Sequence, residues 1–155
     1  MPAPYVADTS IWIRIWRNHP PDIFASLWGQ IDTAIVAGDL VSPDEVLYEL
    51  QRGEDVLAEA LSRRAGLFVS LDEIQMAAVA DVVRTCRGLV NEEAERGRAD
   101  PFVVALARVR QGTVVSGERP RRTAASPFKI PDACSQYGIP CLDWFQFLRE
   151  MGWQL

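Results

Sequence analysis

Histidine and cysteine are scarce in this 155-residue chain, which limits the chemistry available to it. The sequence has one histidine, His19, and three cysteines, Cys86, Cys134 and Cys141, with no Cys-x-x-Cys pair. This set is too small for a typical tetrahedral zinc site, and it argues against a Ser-His-Asp enzyme. We interpret the thiols as buried core side chains and His19 as a loop residue.

Long apolar runs and glycine-rich phosphate motifs are also missing. No stretch approaches the roughly 20 apolar residues of a membrane span, and the first residues do not pair a basic segment with an apolar one. We therefore expect a cytoplasmic protein with no membrane partner. The sequence has no Gly-x-x-x-x-Gly-Lys run and no Gly-x-Gly-x-x-Gly after its first apolar segment, so it does not support the nucleotide-binding folds that use them.

Short apolar segments alternate with helical patterns along the whole chain. With 48% hydrophobic residues, the chain fits one domain spanning residues 1–155, which can bury a core without disulfides. The alternation predicts an α/β fold, a three-layer α/β/α sandwich with a parallel sheet of four or five strands. Ligands of such sheets bind beyond the carboxyl ends of the strands. The predicted strands are 5–7, 66–69, 113–116 and 139–142, and Leu40-Val41 is a short apolar pair before the next helix.

Capping signals indicate where several helices begin. Ser42-Pro43-Asp44-Glu45 predicts a capping box with Ser42 as the cap, and Ser70-Leu71-Asp72-Glu73 repeats that pattern. Asp100-Pro101 predicts a helix with Asp100 as its N-cap, and Asp143 is the predicted cap of the last helix. The charged stretch 91–98 is interpreted as an exposed helix or loop.

Four acidic residues, Asp8, Glu49, Asp100 and Glu118, lie where a parallel sheet could bring them to one edge. Two carboxylates about 4 Å apart repel by roughly 4 kcal/mol at an effective dielectric near 20. This is a large cost for a domain whose whole stability is about 5 to 15 kcal/mol. The cluster therefore predicts a hard cation between the carboxylates. The ordinary alternatives are helix caps for Asp8 and Asp100 and solvated side chains for Glu49 and Glu118.

The net charge of −5 argues against broad, nonspecific binding of nucleic acid. One segment is nevertheless basic, because Arg119, Arg121 and Arg122 lie close together and Lys129 follows. This segment could hold a phosphate backbone beside an acidic pocket, or it could be a solvated loop without a partner.

Five segments, taken together, resemble the PIN-domain family, and more closely a PIN-like family of compact prokaryotic proteins. They span most of the chain in the order expected for that family. The segments are Tyr5-Val6-Ala7-Asp8-Thr9-Ser10, Ser42-Pro43 through Tyr48-Glu49-Leu50, Ala99-Asp100-Pro101-Phe102, Val114-Val115-Ser116-Gly117-Glu118, and Lys129-Ile130-Pro131-Asp132-Ala133-Cys134.

The resemblance implies a Mg²⁺- or Mn²⁺-dependent endoribonuclease in the cytoplasm. Asp8, Glu49 and Asp100 match the family's acidic ligands, and Glu118 falls at its fourth acidic position. Small PIN proteins are often toxins of toxin–antitoxin pairs, so a cognate antitoxin is the implied protein partner and RNA the implied substrate. Supporting contacts to the carboxylates or the phosphate are expected from Thr9, Ser10 and Ser116, and contacts to the RNA backbone from Arg119, Arg121, Arg122 and Lys129.

Two departures from the family pattern keep an alternative open. Ser10 stands where many members have asparagine, and Ser116-Gly117-Glu118 replaces the more usual Thr-x-Asp. The alternative is a PIN-like RNA- or protein-binding module with weakened catalysis. A haloacid-dehalogenase-type phosphatase also begins with an aspartate at a strand end, but it requires a second aspartate where this chain has Ser10. The apolar C-terminal segment, with Trp144, Phe145, Phe147 and Trp153, could form a homodimer contact or close the core.

Overall fold

The computed structural model describes residues 3–91 and 98–155. At its centre lies a sheet of five parallel strands in the order β3-β2-β1-β4-β5. The helices of the described residues flank this sheet, so the predicted three-layer α/β/α sandwich is confirmed, with five strands. The strands are β1 (Tyr5–Ala7), β2 (Leu40–Pro43), β3 (Phe68–Val69), β4 (Thr113–Val115) and β5 (Cys141–Leu142).

Eight helices lie within the described residues, and the most buried of them packs against the centre of the sheet. This helix, α6, contacts β1, β2 and β4, and it presents buried alanine, valine and leucine side chains. The helices are α1 (Thr9–Asn18), α2 (Ala25–Val36), α3 (Asp44–Leu50), α4 (Asp55–Ser62), α5 (Glu73–Thr85), α6 (Asp100–Arg110), α7 (Ile130–Tyr137) and α8 (Trp144–Met151).

The strand order places a topological switch point between β1 and β4. Tyr5 lies opposite Leu40 of β2 on one side and Thr113 of β4 on the other. From β1 the chain continues to β2 on one side, and it forms β4 on the other side only later. The connections after β1 and β4 therefore diverge, which leaves a crevice at the carboxyl ends of these two strands. Asp8 and Ser116 are the first residues after β1 and β4, so the fold places both at this crevice.

Ser42 has a role in the core and not the predicted role of a helix cap. The fully buried Trp12 donates its indole N–H to Ser42 Oγ (2.9 Å), and Ser42 Oγ donates to the carbonyl of Ala7 (2.6 Å). The predicted capping box at 42–45 is therefore wrong, because the hydroxyl is used between β1, β2 and α1. The helix starts instead at Asp44, after Pro43, without a side-chain cap.

Other helix starts differ from the predictions by one or two residues. Asp100 is the first residue of α6 and not its N-cap, a position that Ala99 occupies. The capping box of α5 pairs Asp72 with Gln75 and does not use Ser70. The predicted cap at Asp143 is confirmed, since its carboxylate accepts the Gln146 N–H at 2.8 Å. Residues 92–97 of the charged stretch lie outside the described residues.

Helix α7 is an element that the sequence patterns did not predict. Pro131 lies in its first turn, and the Asp132 carboxylate accepts the backbone N–H of Lys129 at 2.9 Å. Both are ordinary signals of a helix start, but the helix has only 8 residues and follows an irregular loop.

The cysteines are free thiols, with Cys86 and Cys134 buried as predicted and Cys141 half-buried. Among residues 3–91 and 98–155, no helix is both long and apolar enough to cross a membrane. Trp144 and Phe147 of α8 are buried in the core, so these two side chains do close it, while Phe145 is exposed.

A close backbone approach explains the glycine at position 112. A Cβ added there would lie 2.4 Å from the Pro4 carbonyl oxygen, where β4 starts to pair with β1. We expect Gly112→Ala to lower the free energy of unfolding by about 1 to 3 kcal/mol, because the strands must separate to admit the methyl group. The measurement is urea denaturation followed by circular dichroism.

Gly29 in α2 is the matched control for this substitution. It is solvent-exposed, and nothing lies within 4 Å of a Cβ added to it. Gly29→Ala should therefore raise the free energy of unfolding by roughly 0.5 to 1 kcal/mol, through helix propensity alone. A Gly112→Ala variant as stable as the wild type would show that the backbones of β1 and β4 are not held this close.

Candidate metal centre

The four acidic residues singled out by the sequence line one cavity. Asp8, Glu49, Asp100 and Glu118 surround a space of about 330 Å³, together with Thr9 and Ser10. These side chains come from the end of β1, from α3, from the start of α6 and from the loop after β4. The fold thus brings together residues that lie as much as 110 positions apart in the chain, at the crevice that the strand order creates.

Asp8 is buried and held by several hydrogen bonds. Its carboxylate accepts the Ile11 N–H at 2.8 Å, which makes Asp8 the N-cap of α1. The Ser10 hydroxyl lies 2.8 Å from both carboxylate oxygens, and the Ser116 hydroxyl donates to one of them at 2.6 Å. Burial nevertheless raises the pKa of Asp8 from 3.8 to about 7, with a smaller contribution from Glu118, against the lowering effect of these hydrogen bonds. The cap and the cavity positions are therefore compatible.

Ser10 and Ser116 also join the ends of β1 and β4. The Gly117 N–H donates to Ser10 Oγ at 3.0 Å, and the Glu118 N–H donates to Ser116 Oγ at 3.0 Å. A Cβ at Gly117 would lie 3.2 Å from Ser10 Oγ, so a glycine lets the loop approach this closely. Both serines thus position Asp8 and the loop that carries Glu118.

Asp100 lies among the other three carboxylates. Its side chain is buried at the start of α6. Burial raises the pKa of Asp100 well above its usual value, and repulsion by Glu118, Asp8 and Glu49 raises it further. A bound cation would relieve this repulsion.

Glu49 and Glu118 each use one carboxylate oxygen to hold backbone. Glu49 accepts the Ala99 N–H at 3.1 Å, just before α6, and Glu118 accepts the Ile130 N–H at 2.9 Å, at the start of α7. Within residues 3–91 and 98–155, no three His, Cys, Asp or Glu side chains are arranged to ligate one ion directly. A magnesium ion does not need such a set, because it keeps several waters and is usually held by one or two carboxylates.

The residues around the cavity fit a hard, hydrated divalent cation. The donor set consists of oxygen atoms, which suits Mg²⁺ and Mn²⁺. Thr9 Oγ1 is buried at this cavity and has no hydrogen-bond partner among the described residues. Such an unsatisfied hydroxyl costs about 1 to 3 kcal/mol, a cost that water bound beside it would remove.

The basic residues predicted to contact RNA lie beside the carboxylates. A second cavity, of about 620 Å³, shares Asp100 and Glu118 with the first and is also lined by Arg119, Arg122 and Lys129. These three cationic side chains are exposed. We call this the basic cavity.

Arg121 also lines the basic cavity, but its guanidinium is used within its own loop. It donates to the carbonyls of Ala124 and Ser126, at 3.2 and 3.1 Å, and lies 4.1 Å from the ring centre of Phe128. Its side chain also lies 3.9 Å from Asp132. Arg121 therefore orders the loop that presents the other cations, and its predicted contact with RNA stays a prediction.

Glu54 lines the acidic cavity and was not singled out by the sequence patterns. Its carboxylate forms an ion pair with Arg17, so its charge is partly neutralised. It lies just before α4, where no strand end or cap pattern marks it as part of a site. The packing of α1 against α3 places the turn after α3, which carries Glu54, at the cavity.

The fold and this cavity define an α/β protein whose parallel sheet carries a carboxylate cluster at its switch point. Residues 5–155 match the family described as Domain of unknown function (DUF4411), and the chain belongs to that family. No curated protein matches the chain. The description of the family names no activity, so the function is inferred from the site.

Proposed function

We propose that this protein is a Mg²⁺- or Mn²⁺-dependent endoribonuclease of the PIN-like type, acting as the toxin of a toxin–antitoxin pair in the cytoplasm. The observation that carries the proposal is the convergence of Asp8, Glu49, Asp100 and Glu118 on one cavity at the switch point of the sheet. The PIN-like order of the sequence segments that contain these residues supports it. The adjacent basic cavity supports a polyanionic substrate.

The proposal gives the carboxylates distinct roles. Asp8 and Asp100 are the direct ligands, since both side chains are buried. The Asp8 carboxylate accepts a backbone N–H only from its own helix, so it does not hold a distant segment of the chain. Glu49 and Glu118 keep one oxygen for water, because the other accepts a backbone N–H. When bound, the ion would polarise the scissile phosphate and activate an attacking water.

The remaining residues position the reacting groups. Ser10 and Ser116 fix the orientation of Asp8, and the Thr9 hydroxyl is available to the phosphate or to water at the cavity. Exposed cations of the basic cavity hold the flanking phosphates, which orients the RNA for attack in line with the leaving oxygen. Arg119, Arg122 and Lys129 have this role.

Ion-dependent RNA cleavage is the direct test. We expect the purified protein to cut a labelled single-stranded RNA in the presence of Mn²⁺ or Mg²⁺, and to stop when EDTA removes the ion. Gel analysis of internal fragments distinguishes an endonuclease from trimming at the ends. Cleavage that continues unchanged in EDTA, or no cleavage of any RNA with either ion, would contradict the proposal.

The weakened PIN-like module remains a second candidate, because one observation favours it. No three acidic side chains of the described residues are close enough to ligate one ion directly, and Glu118 contributes an oxygen to the start of α7. Calorimetry with Mn²⁺ separates the two candidates: a nuclease site binds the ion with a stoichiometry near one or two, whereas a degenerate site shows no binding heat.

The toxin role has a separate test in the genome. We expect the neighbouring gene to encode a small DNA-binding protein that forms a complex with this chain and suppresses its RNA cleavage. Copurification of the two proteins and an inhibition assay measure this. A neighbouring product that neither binds nor inhibits would remove the toxin role while leaving the nuclease proposal in place.

A further inference from the structure

A further cavity, of about 580 Å³, lies next to the acidic and basic cavities. Five parts of the chain line it: α1 with the residue that follows it, the loop after β4, the start of α7, β5 and the start of α8. It shares Glu118 with the acidic cavity, and it shares Glu118, Arg119 and Pro120 with the basic cavity. The three spaces are thus contiguous around Glu118. We call the further space the aromatic cleft.

Phe145 gives the cleft an exposed aromatic face. The side chain is 61% exposed, whereas its neighbours Trp144 and Phe147 are almost fully buried. An aromatic ring held toward solvent beside a cationic path is the arrangement on which unpaired nucleobases stack. The size of the cleft is in the range of small-ligand sites.

Two exposed arginines from different elements line the cleft. Arg14 comes from α1 and Arg119 from the loop after β4, and neither forms an ion pair within the described residues. Their charges favour a phosphate-linked ligand over a neutral one. Because Arg119 also lines the basic cavity, the same residue can contact the phosphate between two neighbouring nucleotides.

Two residues that line the cleft carry polar ring atoms without partners. Trp144 Nε1 and His19 Nδ1 are buried, and neither has a hydrogen-bond partner among the described residues. The two rings lie 5.7 Å apart, and Trp144 itself is 2% exposed. Burial lowers the pKa of His19, which favours the neutral form of its ring, and one nitrogen of a neutral imidazole accepts a hydrogen bond. Trp144 thus carries an unpaired donor and His19 an unpaired ring nitrogen beside the cleft.

We propose that the aromatic cleft is a subsite for one unpaired nucleobase of the RNA strand, next to the phosphate at the acidic cavity. The base stacks on Phe145, its edge faces Trp144 and His19, and its phosphates are held by Arg14 and Arg119. This inference rests on the proposed function, since it takes RNA as the ligand. It adds that the protein recognises a base beside the cut, which gives the cleavage a sequence preference.

Binding measured without the ion tests the subsite independently of cleavage. Fluorescence anisotropy with a labelled single-stranded RNA in EDTA compares the wild type with Phe145→Ala. We expect Phe145→Ala to weaken binding by at least about fivefold, the lower end of the stacking contribution of one base. Phe145→Tyr keeps an aromatic ring and should bind like the wild type.

Tyr48→Ala is the matched control, because Tyr48 is an exposed aromatic residue of α3 that lines none of the three cavities. It should leave the dissociation constant unchanged. An equal loss in Phe145→Ala and Tyr48→Ala, or no loss in Phe145→Ala, would overturn the subsite. So would a Phe145→Ala variant that loses a protein partner but keeps its affinity for RNA.

Mapping of cleavage sites gives a second readout that separates this inference from the proposed function. Trp144→Phe removes the indole N–H and keeps an apolar ring, so it should change the base preference at the cut. A protein that cleaves with wild-type preference in both Trp144→Phe and Phe145→Ala would be a nuclease without this subsite. A protein that never cleaves, but loses RNA affinity only in Phe145→Ala, would retain the subsite and lose the nuclease assignment.

Discussion

Replacing Asp100 with asparagine is expected to reduce RNA cleavage by about a thousandfold or more, which corresponds to roughly 4 kcal/mol of lost transition-state stabilisation. Asp100 is 7% exposed and lies among three other carboxylates, so water screens its charge only weakly. The asparagine keeps the shape of the side chain but removes the negative charge that is proposed to hold a divalent cation. The measurement is the cleavage rate of a labelled RNA at saturating Mn²⁺.

Asp55→Asn is the matched control for this prediction. Asp55 is the first residue of α4, as Asp100 is of α6, but it is exposed and lines no part of the acidic cavity. The control variant should cleave at the wild-type rate. An Asp100→Asn variant that is folded by circular dichroism and retains cleavage would show that the carboxylate cluster is not the catalytic centre.

The convergence of the carboxylates could be predicted where a residue follows a strand directly. Asp8 comes immediately after β1, and parallel strands end at one edge of the sheet, so sequence position alone places it at the crevice. The position of Glu49 could be predicted from helix periodicity, because Val46 and Leu50 face the core and fix the register of α3. These two signals are local, and the sequence contains them fully.

A long-range hydrogen bond accounts for the wrong prediction at Ser42. Ser42 has the local features of a helix cap, but the buried Trp12 needs an acceptor for its indole N–H, and Ser42 is the residue that supplies it. Asp100 has the sequence pattern of an N-cap, yet α6 includes Asp100 as its first residue. A hydrogen bond between residues 30 positions apart cannot be read from a four-residue motif.

The aromatic cleft illustrates a site that no motif could indicate. His19, Ser116 and Trp144 come from three separate segments, and the pattern of each segment is explained by local structure alone. An exposed phenylalanine on an amphipathic helix is also common, so Phe145 by itself carries no functional information. Only the folded structure brings Phe145 to the space next to the carboxylates.

The stability of the ion-free protein is expected to fall as the pH rises from about 4 to about 7. Asp8 has a pKa of about 7 in the folded state, against 3.8 for an exposed aspartate, so the folded state binds a proton more tightly than the unfolded state. Stability is therefore greatest below pH 4 for this group, and it declines until the carboxyl is ionised in both states. A shift of this size corresponds to an effect on the order of 4 kcal/mol. The raised pKa of Asp100 acts in the same direction.

Asp8→Asn should remove the contribution of Asp8 to this pH dependence. The asparagine oxygen still accepts the Ile11 N–H at the start of α1, so the cap survives while the buried charge is lost. In EDTA, the variant should be more stable than the wild type at pH 8 and about equally stable at pH 4, as measured by urea denaturation.

Addition of Mn²⁺ should produce the opposite result at pH 8. An ion that binds only the folded state stabilises it by about 2.7 kcal/mol at a hundred times its dissociation constant. The wild type should therefore gain stability and Asp8→Asn should gain little, because the carboxylate that makes the ion-free fold less stable is the proposed ligand of the ion. If the stability of the wild type in EDTA does not depend on pH, burial does not raise the pKa of Asp8. If Mn²⁺ also leaves that stability unchanged, Asp8 is not a ligand.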